Sequence, residues 1–338
     1  MASLFPSPPA TPRLPVSLVT GFLGSGKTTL LNRLLRHPAM ARTAVLVNEF
    51  GEIPLDQRFI EAGDGEVVVM ANGCLCCSVA DDLEGIVGRL FGQRDQGVLG
   101  FDRLVIETTG LADPAPIMQL LLNSPLIADA IALDAVIATV DAVHGRRQLD
   151  EHQEAVKQAA LADRLVITKT DLAGQGAAAA LDRILAALNP DATRLDLQDE
   201  PPPALLFGAG LVRSDGSLRD PASWLGRALD DHAAHLHDIA AETLVIDGPL
   251  EWRRFSRWLT RIKVRHAEHL LRVKGILHLA GEDAPVAIHG VHHVFHPPVK
   301  LPPRADDDAR SRLVFITRGL ARGAIAADWR DFAASERT

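Results

Sequence analysis

Short apolar runs, each bounded by turn residues, recur through the first half of the chain. These runs predict strands, and most of the stretches between them have the spacing of helices that bury one face. The strand candidates are residues 16–20, 44–48, 67–70, 103–107, 135–140 and 164–168. Strands that alternate with helices predict an α/β fold with a mainly parallel sheet, and such sheets bind ligands beyond the carboxyl ends of their strands.

The alternation weakens after Asn189, and the rest of the chain has a different pattern. Residues 206–240 are predicted to be a linker with an Asp/His segment that contains His232, His235 and His237. A strand, a helix, two strands, another strand and a terminal helical stretch then predict a smaller α+β domain at 241–338. Residues 1–14, rich in Pro and Ser, predict a flexible tail. The α/β domain is therefore expected at 15–205.

Composition and charge narrow the class of protein. A length of 338 residues suits two domains, and 47% hydrophobic with 23% charged residues is typical of a globular chain. The net charge of -8 gives no global positive field to hold nucleic acid or anionic lipid. We find no apolar segment long enough to span a membrane and no leader pattern. We therefore expect a cytoplasmic protein with neither a nucleic acid nor a membrane as partner.

A glycine-rich turn directly after the first strand fits the pattern G-x-x-x-x-G-K-T and opens a helix-forming run. In this motif, backbone N–H groups surround phosphate oxygens, Lys27 reaches the β and γ phosphates, and Thr28 supplies a hydroxyl to Mg²⁺. The alternative is a strand-to-helix turn that binds no nucleotide. The candidate phosphate-binding residues are Gly21, Gly24, Ser25, Gly26, Lys27, Thr28 and Thr29.

Two other strand ends carry residues suited to a nucleotide site. Glu107 ends the strand at 103–107, where a carboxylate can hold the hydration shell of Mg²⁺. Asp171 follows the strand at 164–168, and it can accept the two N–H donors on the edge of guanine while Lys169 lies over the base. Adenine has no such donor pair, so GTP is favoured over ATP. The alternatives are a solvated glutamate and an Asp171 that caps a helix.

All three cysteines of the chain, Cys74, Cys76 and Cys77, fall within four positions after the strand at 67–70. Such clustering excludes a disulfide framework and indicates a thiolate site in a reducing compartment. Soft sulfur ligands suit Zn²⁺ or a similar transition metal better than Mg²⁺ or Ca²⁺. Two thiolates with Glu52 or water make a reasonable ligand set. Buried structural cysteines or a redox pair are the alternatives.

Taken together, the phosphate loop and four short segments resemble the CobW family of metal-trafficking P-loop GTPases. The segments are Asn-Glu-Phe-Gly-Glu at 48–52, Asn-Gly-Cys-Leu-Cys-Cys at 72–77, Glu-Thr-Thr-Gly at 107–110 and Thr-Lys-Thr-Asp at 168–171. The resemblance extends over residues 16–318 and includes Leu-Arg-Val-Lys-Gly at 271–275. It implies a nucleotide-binding domain similar to the nickel-insertion GTPases of urease and hydrogenase, followed by the family's C-terminal domain.

The resemblance also implies a metal site. By analogy with the family, Cys74, Cys76 and Cys77 would bind Zn²⁺ or Co²⁺, and Glu52 lies in a switch segment where it can join them. The expected cofactors are GTP, Mg²⁺ and Zn²⁺ or Co²⁺.

Roles in hydrolysis follow from the same resemblance. Glu107 would be the acidic residue of the Mg²⁺ site, with Thr28 as its partner. Lys27, Glu49 and Glu107 are the candidates for catalysis, and Glu49 is the candidate for positioning water.

The expected function is a GTP-hydrolysing metallochaperone that delivers Zn²⁺ or Co²⁺ to a client protein in a nucleotide-dependent manner. Two alternatives stay open: a regulatory GTPase that acts on a protein partner without metal transfer, and a zinc reservoir. The sequence does not identify the client, and it leaves a homodimer open.

Overall fold

The computed structural model describes residues 5, 13–48, 69–72, 79–196, 202–213, 215, 217–225, 239–303 and 310–335. The chain divides into two compact units. The first is formed by Ala10–Leu185 and Ala192–Ser217, and the second by Met1–Pro9, Ala186–Asp191 and Leu218–Thr338.

Strands and helices alternate through the first unit. In chain order they are β1 (Leu14–Gly21), α1 (Lys27–Leu35), β2 (Thr43–Asn48), β3 (Val69–Asn72), α2 (Val79–Asp95), β4 (Arg103–Glu107), α3 (Ala115–Asn123), β5 (Ile131–Asp141), α4 (Gly145–Glu151), α5 (Gln153–Leu161), β6 (Arg164–Thr168), α6 (Ala177–Leu188), β7 (Thr193–Asp196) and α7 (Pro203–Leu206).

The seven strands form one sheet in the order β3-β2-β4-β1-β5-β6-β7, and every pairing is parallel. Residues of β1 and nearly all of β5 are buried, because helices cover both faces of a parallel sheet. The predicted α/β fold with a mainly parallel sheet is thus confirmed. Of the predicted strand at 67–70 the structure describes Val69 and Met70, and β3 continues from them to Asn72.

Helix α1 packs against the middle of this sheet. Its buried leucines, Leu30, Leu31, Leu34 and Leu35, recur at the spacing of one helix face and join a cluster with strand residues that include Val105. This packing fixes the start of α1 directly beyond the end of β1.

The second unit contains an antiparallel sheet and two long helices. Its elements are α8 (Pro221–Leu225), β8 (Ile239–Ile246), α9 (Trp252–Arg265), β9 (Leu270–Leu277), β10 (Val286–Val291), β11 (Val294–Phe295), β12 (Val299–Lys300), β13 (Ser311–Arg318) and α10 (Ala324–Ser335). The strands follow the order β11-β10-β9-β13-β8, and β12 pairs with β10. The predicted smaller α+β domain is confirmed.

A turn shortens one predicted strand of this unit. The apolar pattern predicts a strand at 285–293, but His292 has a φ of 53° and reverses the chain. Val291 consequently pairs with Val294, and β10 and β11 form a hairpin.

Helices α9 and α10 share an apolar cluster with four strands of the sheet. Trp258 of α9 is fully buried there, and its ring packs edge-on against Trp329 of α10 with 5.0 Å between centroids. Phe5, from the stretch predicted as a tail, is buried in the same cluster and lies edge-on to Trp252 at 4.9 Å.

One buried carboxylate joins the two helices. Asp328 of α10 accepts hydrogen bonds from Trp258 Nε1 at 3.0 Å, from Arg261 at 2.8 Å and from Arg265 at 2.7 Å. Burial alone would raise the pKa of Asp328, but the hydrogen bonds from the two arginines outweigh it and hold the pKa below its ordinary value. Asp328 therefore stays charged and links α9 to α10.

We predict that Asp328→Ala lowers the free energy of unfolding by about 2 kcal/mol, the typical cost of losing charged hydrogen bonds. Because the folded pKa of Asp328 lies below the unfolded value, its contribution is present above the unfolded pKa and lost as the pH falls through the folded pKa. Urea unfolding at neutral and acid pH measures both effects. Asp331→Ala, an exposed change on the same helix, is the matched control, and an equal loss in both variants would contradict the role of Asp328.

Candidate functional site

The carboxyl ends of four neighbouring strands meet along one edge of the first sheet. Asn48 of β2 lies opposite Asn72 of β3, and Val47 of β2 lies opposite Glu107 of β4. On its other side, Glu107 is paired with Val19 of β1. The carboxyl ends of β1, β2, β3 and β4 therefore all lie at the same edge of the sheet.

The turn between β1 and α1 leads directly into the first backbone N–H groups of α1. Gly26 is the N-cap, and its φ of 95° lies in the left-handed region that favours glycine. Because glycine has no side chain, the N-cap residue forms no side-chain capping hydrogen bond. The first turn of a helix carries backbone N–H groups that have no partner within the helix, and together with the positive end of the helix dipole they suit an anion.

A cavity of about 450 Å³ opens in front of these amides. Its volume falls in the range of small-molecule sites. It brings together seven of the residues expected at a nucleotide site. It is lined by Leu23, Gly24, Gly26, Lys27, Thr28, Thr29, Glu107, Thr108, Thr109, Gly110, Leu111 and Lys169.

Lys27, Thr28 and Glu107 contribute charged and hydroxyl groups to the cavity. The ammonium of Lys27 donates hydrogen bonds to the carbonyl oxygens of Gly21 at 2.9 Å and Phe22 at 3.2 Å. The Thr28 hydroxyl donates to Oε1 of Glu107 at 2.6 Å, and Glu107 is only 3% exposed. Hydroxyl and carboxylate oxygens are the ligands that Mg²⁺ prefers, so this donor set fits Mg²⁺, which Thr28 and Glu107 would hold.

The loop after β4 touches the backbone of the phosphate-binding turn. A Cβ atom on Gly110 would lie 2.7 Å from the backbone nitrogen of Leu23 and 2.8 Å from its Cα. No side-chain rotation relieves a clash with backbone. Position 110 needs glycine because the two loops approach each other this closely.

Two residues from neighbouring strands hold the phosphate-binding turn from beneath. The hydroxyl oxygens of Ser25 and Thr139 are 2.6 Å apart, and both side chains are buried. The Thr168 hydroxyl donates to the carbonyl oxygen of Ser25 at 2.7 Å. The side chain of Ser25 thus faces β5 rather than the cavity, which leaves only its backbone for phosphate binding.

Lys169 forms one wall of the cavity and is anchored by a buried carboxylate. Its ammonium donates to Oδ2 of Asp141 at 2.7 Å, and Asp141 is fully buried. Burial alone would raise the pKa of Asp141, but hydrogen bonds from Lys169 and from the backbone N–H groups of Val143 and His144 hold it below its ordinary value. Asp171 lies two residues beyond Lys169, is exposed, and is not part of the cavity lining.

Sequence reasoning missed three polar residues that shape this site: Thr139, Asp141 and Gln158. Asp141 directly follows a predicted strand, the same signal that singled out Glu107. Gln158 lies in α5 between Lys157 and two alanines, and its local sequence gave no signal. Thr139 gave no signal, since a threonine inside a strand is common.

Several predicted residues lie outside the part of the chain that the structure describes. They are Glu49 and Glu52, which follow β2, and Cys74, Cys76 and Cys77, which lie in sequence between β3 and α2. Their roles stay predictions.

Two described histidines of the second unit pack against each other. His289 stacks on His296 with 4.9 Å between ring centroids, and burial lowers the pKa of His296 to about 4. His296 is therefore neutral at physiological pH. Among the described residues there is no group of three or more His, Cys, Asp or Glu side chains that could hold a metal ion.

Comparison with known families accounts for both units. Residues 15–196 match the family model described as the CobW/HypB/UreG nucleotide-binding domain, and residues 239–333 match the C-terminal domain of the cobalamin synthesis protein CobW. The chain belongs to the CobW family. The expected resemblance is therefore confirmed, and the chain is a GTPase of this family.

Two relatives, and a solved structure of a variant of one of them, align with nearly the whole length of this CobW-family GTPase. The zinc chaperone YjiA of Escherichia coli K12 is 35% identical over 89% of this chain and 93% of its own. The zinc chaperone CobW of Pseudomonas aeruginosa is 32% identical over 93% and 90%. A crystal structure of a Zn(II)-bound triple mutant of the YjiA GTPase is 32% identical, with a TM-score of 0.75, and covers 95% of this chain and 99% of that one.

The described helices of this CobW-family GTPase include none that combines the length and the apolar character needed to cross a membrane.

The contact between the two loops yields a direct prediction for this CobW-family GTPase. We expect Gly110→Ala to weaken GTP binding at least about tenfold, because the added methyl group must push the loops apart. Titration with a fluorescent GTP analogue measures the affinity. Gly88→Ala is the matched control, since a Cβ on this exposed residue of α2 meets nothing within 4 Å. Unchanged GTP affinity in Gly110→Ala would contradict the proposed need for glycine.

Proposed function

We propose that this GTPase is a metallochaperone that binds Zn²⁺ or Co²⁺ through Cys74, Cys76 and Cys77 and delivers it to a client protein. Two relatives that align over most of the chain are named zinc chaperones, which favours Zn²⁺ as the cargo. The cysteines supply soft thiolate ligands, and Glu52 adds a carboxylate. The client is a metalloprotein whose identity the chain does not reveal, and neither a nucleic acid nor a membrane has a role.

The nucleotide is GTP, held by the cavity in front of α1. Lys27 and the first amides of α1 bind its phosphates, and Thr28 and Glu107 hold Mg²⁺. When bound, Mg²⁺ neutralises charge on the phosphates. Lys169, anchored on Asp141, lies over the base. Asp171 is exposed beyond it, so its carboxylate is accessible to the edge of guanine.

The observation that carries the proposal is the order of the strands. β3, which leads to the cysteines, pairs with β2, and β2 pairs with β4, which ends in Glu107. Two strand spacings of about 4.8 Å put the end of β3 roughly 10 Å from the end of β4. The segment with Glu49 and Glu52 follows β2, the strand between them.

This arrangement supports coupling between hydrolysis and metal release. Glu49 is the candidate that positions the attacking water, and Glu52, three residues further on, is the candidate metal ligand. A change of conformation in this one segment would therefore alter both sites. GTP favours the metal-loaded state, and hydrolysis favours release.

Counting zinc ions per chain tests the proposal. A relative in which one glutamate and two cysteines are replaced by alanine is still Zn(II)-bound in its crystal structure, so the presence of any zinc is not decisive. We predict that Cys74→Ser, Cys76→Ser and Cys77→Ser together remove one tight zinc site, weakening it at least about 100-fold. GTP hydrolysis without zinc should stay within about twofold, since the phosphates are bound elsewhere.

Competition with a chromophoric chelator measures the affinity and the stoichiometry. Ser78→Ala, the residue directly after the cluster, is the matched control. If the triple variant keeps the tight zinc site, the cysteines are not its ligands. The alternative function, a regulatory GTPase without metal transfer, would then be favoured. Tight zinc binding with no response of a client to GTP would indicate a zinc reservoir.

A further inference from the structure

Two side chains of helix α5 form hydrogen bonds to the loop after β4. The side-chain amide of Gln158 donates two hydrogen bonds, to the carbonyl oxygen of Gly110 at 3.1 Å and to that of Ala112 at 3.0 Å. The preceding residue, Lys157, donates to Oδ2 of Asp113 at 2.7 Å. Two successive residues of α5 therefore hold the loop at three of its residues.

The contacts of Gln158 define how its amide is oriented. Gln158 is 1% exposed, and its Nε2 faces two carbonyl oxygens, which only an N–H donor can satisfy. Its Oε1 is buried and has no hydrogen-bond partner in the described part of the chain. Burying an unsatisfied oxygen is costly, and an apolar side chain at this position would avoid that cost. The hydrogen bonds to the loop are therefore the feature that only an amide provides here.

These hydrogen bonds set the direction of a peptide group that lines the cavity. In a trans peptide the C=O and the N–H point in opposite directions. Because the Gly110 carbonyl points towards α5, the N–H of Leu111 points away from α5. Gly110 and Leu111 both line the cavity with Lys27 and Thr28. Neither amide N–H of these two loop residues donates a hydrogen bond to another residue that the structure describes.

The loop lies beside Glu107, at the end of the cavity that would hold the terminal phosphate and Mg²⁺. We propose that Gln158 is a positioning residue that aims the Gly110–Leu111 peptide at the terminal phosphate of GTP. Gln158 acts through the loop and does not touch the nucleotide. GDP lacks that phosphate, so the hydrogen bonds of Gln158 favour GTP over GDP. The inference rests on the GTPase activity and is independent of the metal cargo.

Gln158→Met tests the inference, because methionine has a similar length and no N–H donor. We expect it to weaken binding of a non-hydrolysable GTP analogue and to lower kcat, each about tenfold or more, and to leave GDP affinity within about twofold. Calorimetric titration with both nucleotides and steady-state kinetics supply the readouts. Gln153→Met, the same change at an exposed position of α5, is the matched control and should behave as wild type.

A second variant covers the case in which Gln158→Met does not fold. Lys157→Met removes the ion pair to Asp113 at a partly exposed site and should reduce the preference for the GTP analogue about threefold. Equal losses of GTP and GDP affinity in Gln158→Met, or an unchanged preference in a folded variant of either residue, would overturn the inference. A wild-type protein that does not hydrolyse GTP would instead overturn the proposed function.

Discussion

The close packing of two backbone turns is the constraint on which the nucleotide site depends. The turn between β1 and α1 ends in Gly26, an N-cap without a side chain, and the loop after β4 brings Gly110 against Leu23 of that turn. Only glycine permits this approach, and the approach of the two turns sets the width of the cavity in which Lys27, Thr28 and Glu107 meet. The parallel sheet makes the approach possible, because it aligns the ends of β1 and β4 side by side.

The same sheet also places the ends of β2 and β3 near this site. β2 and β3 end side by side beyond β4, so the segments that carry Glu52 and the cysteines start within two strand spacings of Glu107. The proposed coupling between the nucleotide and the metal relies on this closeness of the strand ends. On the other side of the loop, Gln158 and Lys157 connect the site to the surface of α5. The loop after β4 therefore lies between the strand ends on one side and helix α5 on the other.

Local sequence was sufficient to predict the parts of the site that depend on local backbone chemistry. The glycines and Lys27 form a motif within nine residues, and Glu107 ends a clear apolar run. Thr139, Asp141 and Gln158 were missed because their importance comes from partners far away in the chain; Ser25 and Thr139, for example, are 114 positions apart. Only the folded sheet brings these pairs together.

The types of the helices and strands were predicted better than the residues at which they begin and end, because the ends also depend on contacts outside the local sequence. Apolar periodicity identified the alternating strands and helices, and it also identified the second sheet. The turn at His292, which splits a predicted strand into a hairpin, depends on a single positive φ at a residue that is not glycine. Amino-acid composition predicts such a turn poorly, because the turn is stabilised by the pairing of Val291 with Val294 and not by its own residue types.

The central claim is that the nucleotide and zinc sites influence each other. Zinc affinity measured by chelator competition, with a non-hydrolysable GTP analogue and then with GDP, tests it most directly. The account predicts tighter zinc binding with the analogue by about fivefold or more, and zinc must tighten binding of the analogue relative to GDP by the same factor. Equal zinc affinity with both nucleotides, together with nucleotide affinities that zinc does not change, would contradict the account.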